Sequence, residues 1–385
     1  MRICYVTSAF PPAVCGVGDH IALVAQELAK QNEVFIITSK IEVASEWAER
    51  NICVLPIINV WNIFSWFKIC KEIIKINPDI VHFEYPTLYP VKRSKVFQLV
   101  PLSLIPKIIL ALKRKLPKFV ITIHEFYKSN ILAKPKIICD AWLCDQIIIV
   151  SNADIARLSK FVSPNKINFS KVGSNVPVYF NKNYQKEIFK KEILGISAET
   201  LLIGYFGFID PSKGFDILLK ALASLSEKPV DYRLLVIGKN LSDSPYHQKM
   251  KSLINALNLS SKIIFSGYVK DEKASEYFFS PDVFVLPYQN GATWNRSSMI
   301  APLIHHQNIL TTYVKGITPE EFYQSKKLFL IEPNNSKKIA EKLIEINSRK
   351  KELSSIKENW PEIFSWEKTA QKTMEACDKA LKKSA

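Results

Sequence analysis

The sequence predicts an α/β protein built from two doubly wound, Rossmann-like domains facing across a cleft. Three observations lead there. A chain of 385 residues is long enough for two ordinary domains. Short apolar runs alternate with stretches of helical periodicity up to about Val150, and again from about Leu201 to Ile346. Each half also opens alike, with an apolar strand, a glycine-containing turn and an amphipathic helix. The 48% hydrophobic and 11% aromatic content is ample for two packed cores.

In the first half, the run Arg2 to Ser8 reads as a strand and FPPAVCGVGD, residues 10–19, as a turn carrying Gly16 and Gly18. His20 to Lys30 is periodic through Ile21, Val24, Ala25 and Leu28, and His20 reads as a residue merely flanking that helix. Strands are expected at Val34–Thr38, Val54–Ile58, Asp79–Phe83, Phe119–Ile123 and Gln146–Val150. Helices are expected over Trp61–Ile76, over Val96–Lys115 with interruptions at Pro101 and Pro106, and over Ile137–Leu143. GVG is shorter than a dinucleotide fingerprint, and no acidic residue ends the second strand, which excludes a nicotinamide site.

The second half repeats the pattern, with strands at Leu201–Phe206, Arg233–Ile237, Ile263–Phe265, Val283–Pro287, Ile309–Thr312 and Phe329–Ile331. A last helix covers Trp366–Lys383. The domains are drawn as 1–186, with the helix 366–385 packing back on it, and 187–365.

Leu201 to Leu222 carries the most chemistry. Its strand breaks at Gly207, passes through FIDPS to Lys213-Gly214, and enters a helix marked by Phe215, Leu218, Leu219 and Leu222. Such a loop offers backbone N–H groups and the positive end of a helix dipole to an anion. Lys213 can reach the same anion. The alternative is an ordinary βα connection with a surface lysine.

Composition narrows the partners. There are 52 basic and 36 acidic residues, a formal charge of +16. That excess favours an anionic partner, although a diffuse lysine bias gives the same total. No nucleic-acid reader motif accompanies it. The seven cysteines are scattered without a CxxC pair, so neither a metal site nor a disulfide framework is expected, and a reducing cytosol fits best. No apolar run suits a transmembrane helix, and the N-terminus does not read as a secretory signal. Between Lys92 and Lys118 there are eight basic residues and no acidic ones, interleaved with Val, Leu and Ile. This segment suits the inner face of an anionic membrane, or else a core helix with solvated lysine ends.

The motifs PPxxxGVG, IHE (123–125), GFIDPSKG (207–214), IGKN (237–240), FSGYV (265–269), DVFVLPY (282–288) and GATWNRSSMIAPLIHHQNILTT (291–312) occur in this order. Together they resemble the retaining nucleotide-sugar glycosyltransferases of family 4, which have the GT-B fold, and within them a mannosyltransferase-like branch. The resemblance implies a metal-independent hexosyltransferase with no cofactor beyond a nucleotide-diphosphate sugar as co-substrate. The donor would bind the second domain, and a glycan or polyprenyl-linked acceptor the first. The enzyme would serve cell-surface polysaccharide synthesis in the cytoplasm, peripherally on the membrane.

The resemblance also implies site residues. His124, Lys213 and Arg296 would be catalytic. Gly16, Gly18, Gly207, Gly238, Tyr268, Ser297 and Ser298 would join Lys213 and Arg296 in holding the donor, with Gly16 and Gly18 allowing close approach through positive φ. Glu84 and Glu125 would contact the acceptor. The leaving diphosphate needs preorganised positive donors. The arginine that the family carries five residues before its lysine is Phe208 here, and Arg296 stands to replace its planar donor set. Two family glutamates fall on Thr293 and Ala301. Their loss keeps open a non-catalytic or degenerate sugar-nucleotide-binding protein. A nucleotide-sugar epimerase of similar fold would need acid/base carboxylates in the cleft, and none is found there. No carboxylate pair suits a glycosidase.

Overall fold

In both halves, Val- and Ile-rich strands buried on two faces assemble into wholly parallel sheets, as the near-continuous apolar runs require. The computed structural model describes the chain apart from residues 14, 43, 86–99, 114–115, 125, 128, 239, 270, 357, 359, 361–363 and 383–385. It folds as two units, 1–173 with 365–385, and 174–364. The division thus falls ahead of the boundary expected at 186. The reason is local: Tyr179 N donates to Ser275 Oγ at 2.9 Å, Ser275 Oγ donates to Pro177 O at 3.0 Å, and Asn181 Nδ2 donates to Glu276 at 2.9 Å.

The first unit contains β1 (Arg2–Val6), β2 (Glu33–Ser39), β3 (Ile52–Ile58), β4 (Ile80–Tyr85), β5 (Lys118–Ile123), β6 (Gln146–Ile149) and β7 (Ile167–Phe169), in the order β3-β2-β1-β4-β5-β6-β7. Its main helices are α1 (Gly16–Leu28), α2 (Ile63–Ile76), α3 (Leu104–Leu112), α4 (Ala133–Leu143) and α5 (Asn152–Leu158). Side chains of α2, α3 and α4 build the core on one face, around Trp66, Ile69, Leu110 and Ile137. On the other face, α1 packs with the C-terminal helix (Trp366–Lys382) through Ile21, Ala25, Ala376 and Ala380.

Two expectations need correction here. The helix expected from Val96 begins at Leu104, so that Pro106 falls in its first turn, where a missing N–H costs little; residues 86–99 lie outside the description. Gly16 and Gly18 are not in a loop but in the first turn of α1, and neither has positive φ. A Cβ at Gly18 would lie 3.4 Å from the Ala9 backbone, an ordinary contact distance.

The second unit contains β8 (Leu201–Phe206), β9 (Tyr232–Ile237), β10 (Ile263–Phe265), β11 (Val283–Leu286), β12 (Ile309–Thr312) and β13 (Leu328–Ile331), in the order β10-β9-β8-β11-β12-β13. Its main helices are α6 (Phe215–Ser226), α7 (Pro245–Ala256), α8 (Asp271–Phe279), α9 (Ser297–Ile304) and α10 (Ser336–Ser348). In each sheet the winding reverses once, between β1 and β4 and between β8 and β11. Ligands of such sheets bind beyond the carboxyl ends of the strands at this reversal.

Candidate functional site

At that reversal the second unit brings two cationic side chains, Lys213 and Arg296, over one ring. After β8 the chain turns at Gly207, with φ +123, and Asp210 Oδ1 accepts from Ser212 N at 2.8 Å, which shapes a single turn ending at Lys213. Gly214 then takes φ +68 and starts α6. A Cβ at Gly214 would stand 2.1 Å from the Pro287 carbonyl oxygen, so this loop lies hard against the end of β11. Gln289 N donates to Ser212 O at 3.0 Å across the same seam.

Tyr288, just past β11, is the anchor. Its ring lies under two cations: Lys213 Nζ is 5.1 Å from the centroid and the Arg296 guanidinium carbon 4.7 Å. Each such contact is worth roughly 0.5–2 kcal/mol, more where water is excluded. The phenol is buried, which pushes it up to about 12, so it stays neutral and pairs with Ser298 Oγ at 2.7 Å. Lys213 Nζ lies 3.5 Å from the same Oγ.

Arg296 is only 6% exposed, yet its Nε and Nη2 have no hydrogen-bond partner among the described residues. A buried guanidinium with unmet donors is costly unless an anion completes it. The residue precedes α9, whose first residues are Ser297 and Ser298 and whose N-terminus has no side-chain cap. Lys213, Arg296, Ser298 and an uncapped helix N-terminus are thus gathered around one ring, a set of donors with the chemistry to receive an oxyanion. A planar fork beside a point charge matches a diphosphate.

Gly207 and Gly238 each follow one residue of the Phe206–Ile237 pair, so they flank one another at the strand ends, and a Cβ at Gly207 would lie 3.0 Å from Ser298 Cβ. Gly238 ends β9 and forms an isolated bridge with Gly267, beside which Tyr268 is 71% exposed. Thr293 and Ala301 are both buried, and Thr293 Oγ1 is 2.5 Å from Asn295 Oδ1, so neither replaces the missing carboxylates.

The first unit holds a second constellation. His124 follows β5, and its N–H donates to Tyr85 O at 2.9 Å, which pins it beside the end of β4. Its Nε2 is 2.8 Å from Glu84 Oε2. Glu84 is 1% exposed, and its side chain lies against His124. Burial raises its carboxyl, an effect opposed by the His124 hydrogen bond. Glu125 lies outside the described residues.

His20, expected merely to flank α1, faces His124 edge-on at 4.8 Å, and burial holds it well below the usual imidazole range. Burial also lowers His82 to about 3. Asp19, beside Gly18, is pushed up to about 6 by burial.

Sequence reasoning missed Tyr288, His82 and Asp19. A signal for His82 existed. His82 and Glu84 alternate on β4, Thr122 and His124 alternate along β5 and its exit, and Glu84 pairs with Thr122 in register. All four thus share one sheet face.

Donor atoms of His20, Glu84 and His124 lie within 4.8 Å of one another. Zinc would draw such atoms to about 3.4 Å apart, and it would have to break the 2.8 Å His124–Glu84 contact. The buried His20 Nδ1 also lacks the outer partner that a metal-bound imidazole normally has. As they stand, the three donor atoms are spaced more widely than a bound zinc would hold them.

Comparison with known proteins is consistent with this geometry. Residues 186–362 match the family described as glycosyl transferases group 1. A protein of Escherichia coli (strain K12) named for colanic acid biosynthesis, WcaL, is 22% identical over 204 residues, covering 52% of this chain and 47% of that protein. The chain thus spans about half the length of this curated relative. Among solved structures, a glycosyltransferase from Rickettsia africae superposes with a TM-score of 0.77 at 22% identity, over 99% of this chain and 98% of that one. Anabaena HepE in complex with UDP-glucose gives 0.65 at 14% identity, over 100% and 99% of the two chains. These likenesses identify the GT-B fold.

Proposed function

We propose, from the premise that the chain belongs to the GT-B glycosyltransferases of group 1, that it moves a hexose from a nucleotide-diphosphate sugar to a glycan or lipid-linked acceptor. The observation that carries this reading is the buried, unsatisfied Arg296 beside Lys213 at the strand-order reversal. Breaking the bond from the anomeric carbon to phosphate leaves charge on a diphosphate. Lys213, Arg296 and the first N–H groups of α9 are aimed where that charge develops. The charge is met by fixed donors of this chain, so the reading invokes no metal and no further cofactor. The motif resemblance implies retention of configuration, and attack on the face that the diphosphate leaves would give that outcome without a nucleophile from the enzyme. His124 would border the transferred sugar, and Tyr268 offers an exposed ring to the nucleotide.

The Anabaena neighbour binds UDP-glucose, which favours a nucleotide sugar here too. A panel of UDP-, GDP- and ADP-sugars read by thermal shift tests the reading. One class should raise the melting temperature, since a ligand selective for the folded state stabilises by about 2.7 kcal/mol at a hundredfold excess over Kd. No shift with any of them, and no release of nucleotide on adding acceptor, would contradict it.

The name of the Escherichia coli relative favours cell-surface polysaccharide as the product. An acceptor of that kind calls for a membrane surface. No helix of the described residues is long and apolar enough to cross one. Instead, α2 and α3 expose Phe64 and Leu112, each 78% exposed, and α2 carries the exposed Lys68 and Lys71. That mixture suits peripheral docking on an anionic bilayer. Sedimentation with anionic vesicles should carry the protein down at low salt, and a Phe64→Ser, Leu112→Ser variant should stay in the supernatant. Equal binding to neutral vesicles would count against it.

A further inference from the structure

Glu84 is a buried acid of the first unit, 1% exposed. Its Oε2 is 2.8 Å from His124 Nε2, and its Oε1 is 3.6 Å from His82 Nε2, which is itself 2.8 Å from Thr122 Oγ1. From β1, Tyr5 stacks on His82 at 4.5 Å. From α1, His20 meets the His124 ring edge-on, and from the C-terminal helix Trp366 closes on His20 at 5.4 Å. Among the described residues, the titratable groups around the carboxylate are Tyr5, His20, His82 and His124, with Cys377 of the C-terminal helix next to Tyr5.

We propose that Glu84 is a positioning residue that acts through His124, fixing the imidazole's rotamer and assigning its proton to Nε2. The inference rests on the reading of His124 as a residue of the transfer site. A neutral imidazole donates from one nitrogen and accepts at the other, and a carboxylate at Nε2 decides which. Burial keeps His20 and His82 neutral near pH 7, so neither of those rings presents a cation to the carboxylate. Nδ1 then carries the lone pair and is the accepting edge of the ring. The strands enforce this arrangement: β4 and β5 are in register at Glu84 and Thr122, and His124 N is tied to Tyr85 O.

Ring-nitrogen NMR of the full chain with labelled histidines reads the tautomer directly. The six histidines are assigned by single substitutions. At pH 8 wild-type His124 should be the Nε2–H form. A Glu84→Gln variant should show mixed tautomers, because its amide can present either oxygen or nitrogen to the ring. In a transfer assay the same variant should lose kcat by about 10- to 100-fold with the donor KM unchanged. An Nδ1–H tautomer in the wild type, or one unchanged tautomer in Glu84→Gln, would overturn the proposal. Should Glu84→Gln fail to fold, the wild-type spectrum still decides. Should no donor support transfer, the functional reading falls while the spectrum still judges this inference on its own.

Discussion

Replacing Lys213 with alanine should lower kcat for sugar transfer by about 10²–10³-fold, the usual effect of removing one preorganised donor from a site of developing charge. The lysine stands over the Tyr288 ring and beside Ser298, at the end of a turn shaped by Asp210. Its ammonium is therefore placed before the donor arrives, and charge on the leaving diphosphate grows against a fixed cation. Arg296→Lys should cost a similar amount although the charge is kept, because the planar fork is lost. The check is steady-state release of nucleotide with the donor that the thermal-shift panel selects. Wild-type kcat in Lys213→Ala would remove the lysine from the chemistry.

Gly214→Ala should be the most destabilising single methyl in the second unit. The residue sits at φ +68, which costs an L-side chain roughly 1–2 kcal/mol. The new Cβ would also stand 2.1 Å from the Pro287 carbonyl oxygen, a backbone atom that moves only with the end of β11. Together these effects should cost about 3 kcal/mol or more. For a unit of this size that corresponds to a melting temperature lower by roughly 6–12 °C. Scanning calorimetry reads the shift. Because Tyr288 follows Pro287 directly, the same movement should displace the ring that both cations share, and nucleotide binding should weaken in parallel.

Much of the fold was legible because parallel strands covered on both faces read as unbroken apolar runs, such as Leu201–Phe206 and Val283–Leu286. The short edge strand Ile167–Phe169 escaped because three residues with Asn168 at the centre carry no period. Gly16 and Gly18 read as a loop because glycine opposes helix, but the buried stripe of α1 through Ile21, Val24, Ala25 and Leu28 outweighs that propensity. In the site, Lys213 and Arg296 were legible as charges in loops after strands. Tyr288 was not, since an aromatic ending a buried strand looks like core, and at 1% exposure it is core as well as anchor. The burial of Glu84 was hidden for the opposite reason. A carboxylate at a strand end reads as solvent-facing, and only the pairing of β4 with β5 shows that His124 covers it.

The central claim is that the second unit holds an incomplete cation pair that a diphosphate completes. The melting temperature of an Arg296→Met variant, measured with and without the matching nucleoside diphosphate, tests it most directly. Removing a buried guanidinium whose donors are unmet relieves a cost, so the free variant should melt at or above the wild-type temperature, while the rise on adding nucleotide disappears. A free variant that melts several degrees lower but keeps its full nucleotide-induced rise would show Arg296 to be a structural residue and contradict the account.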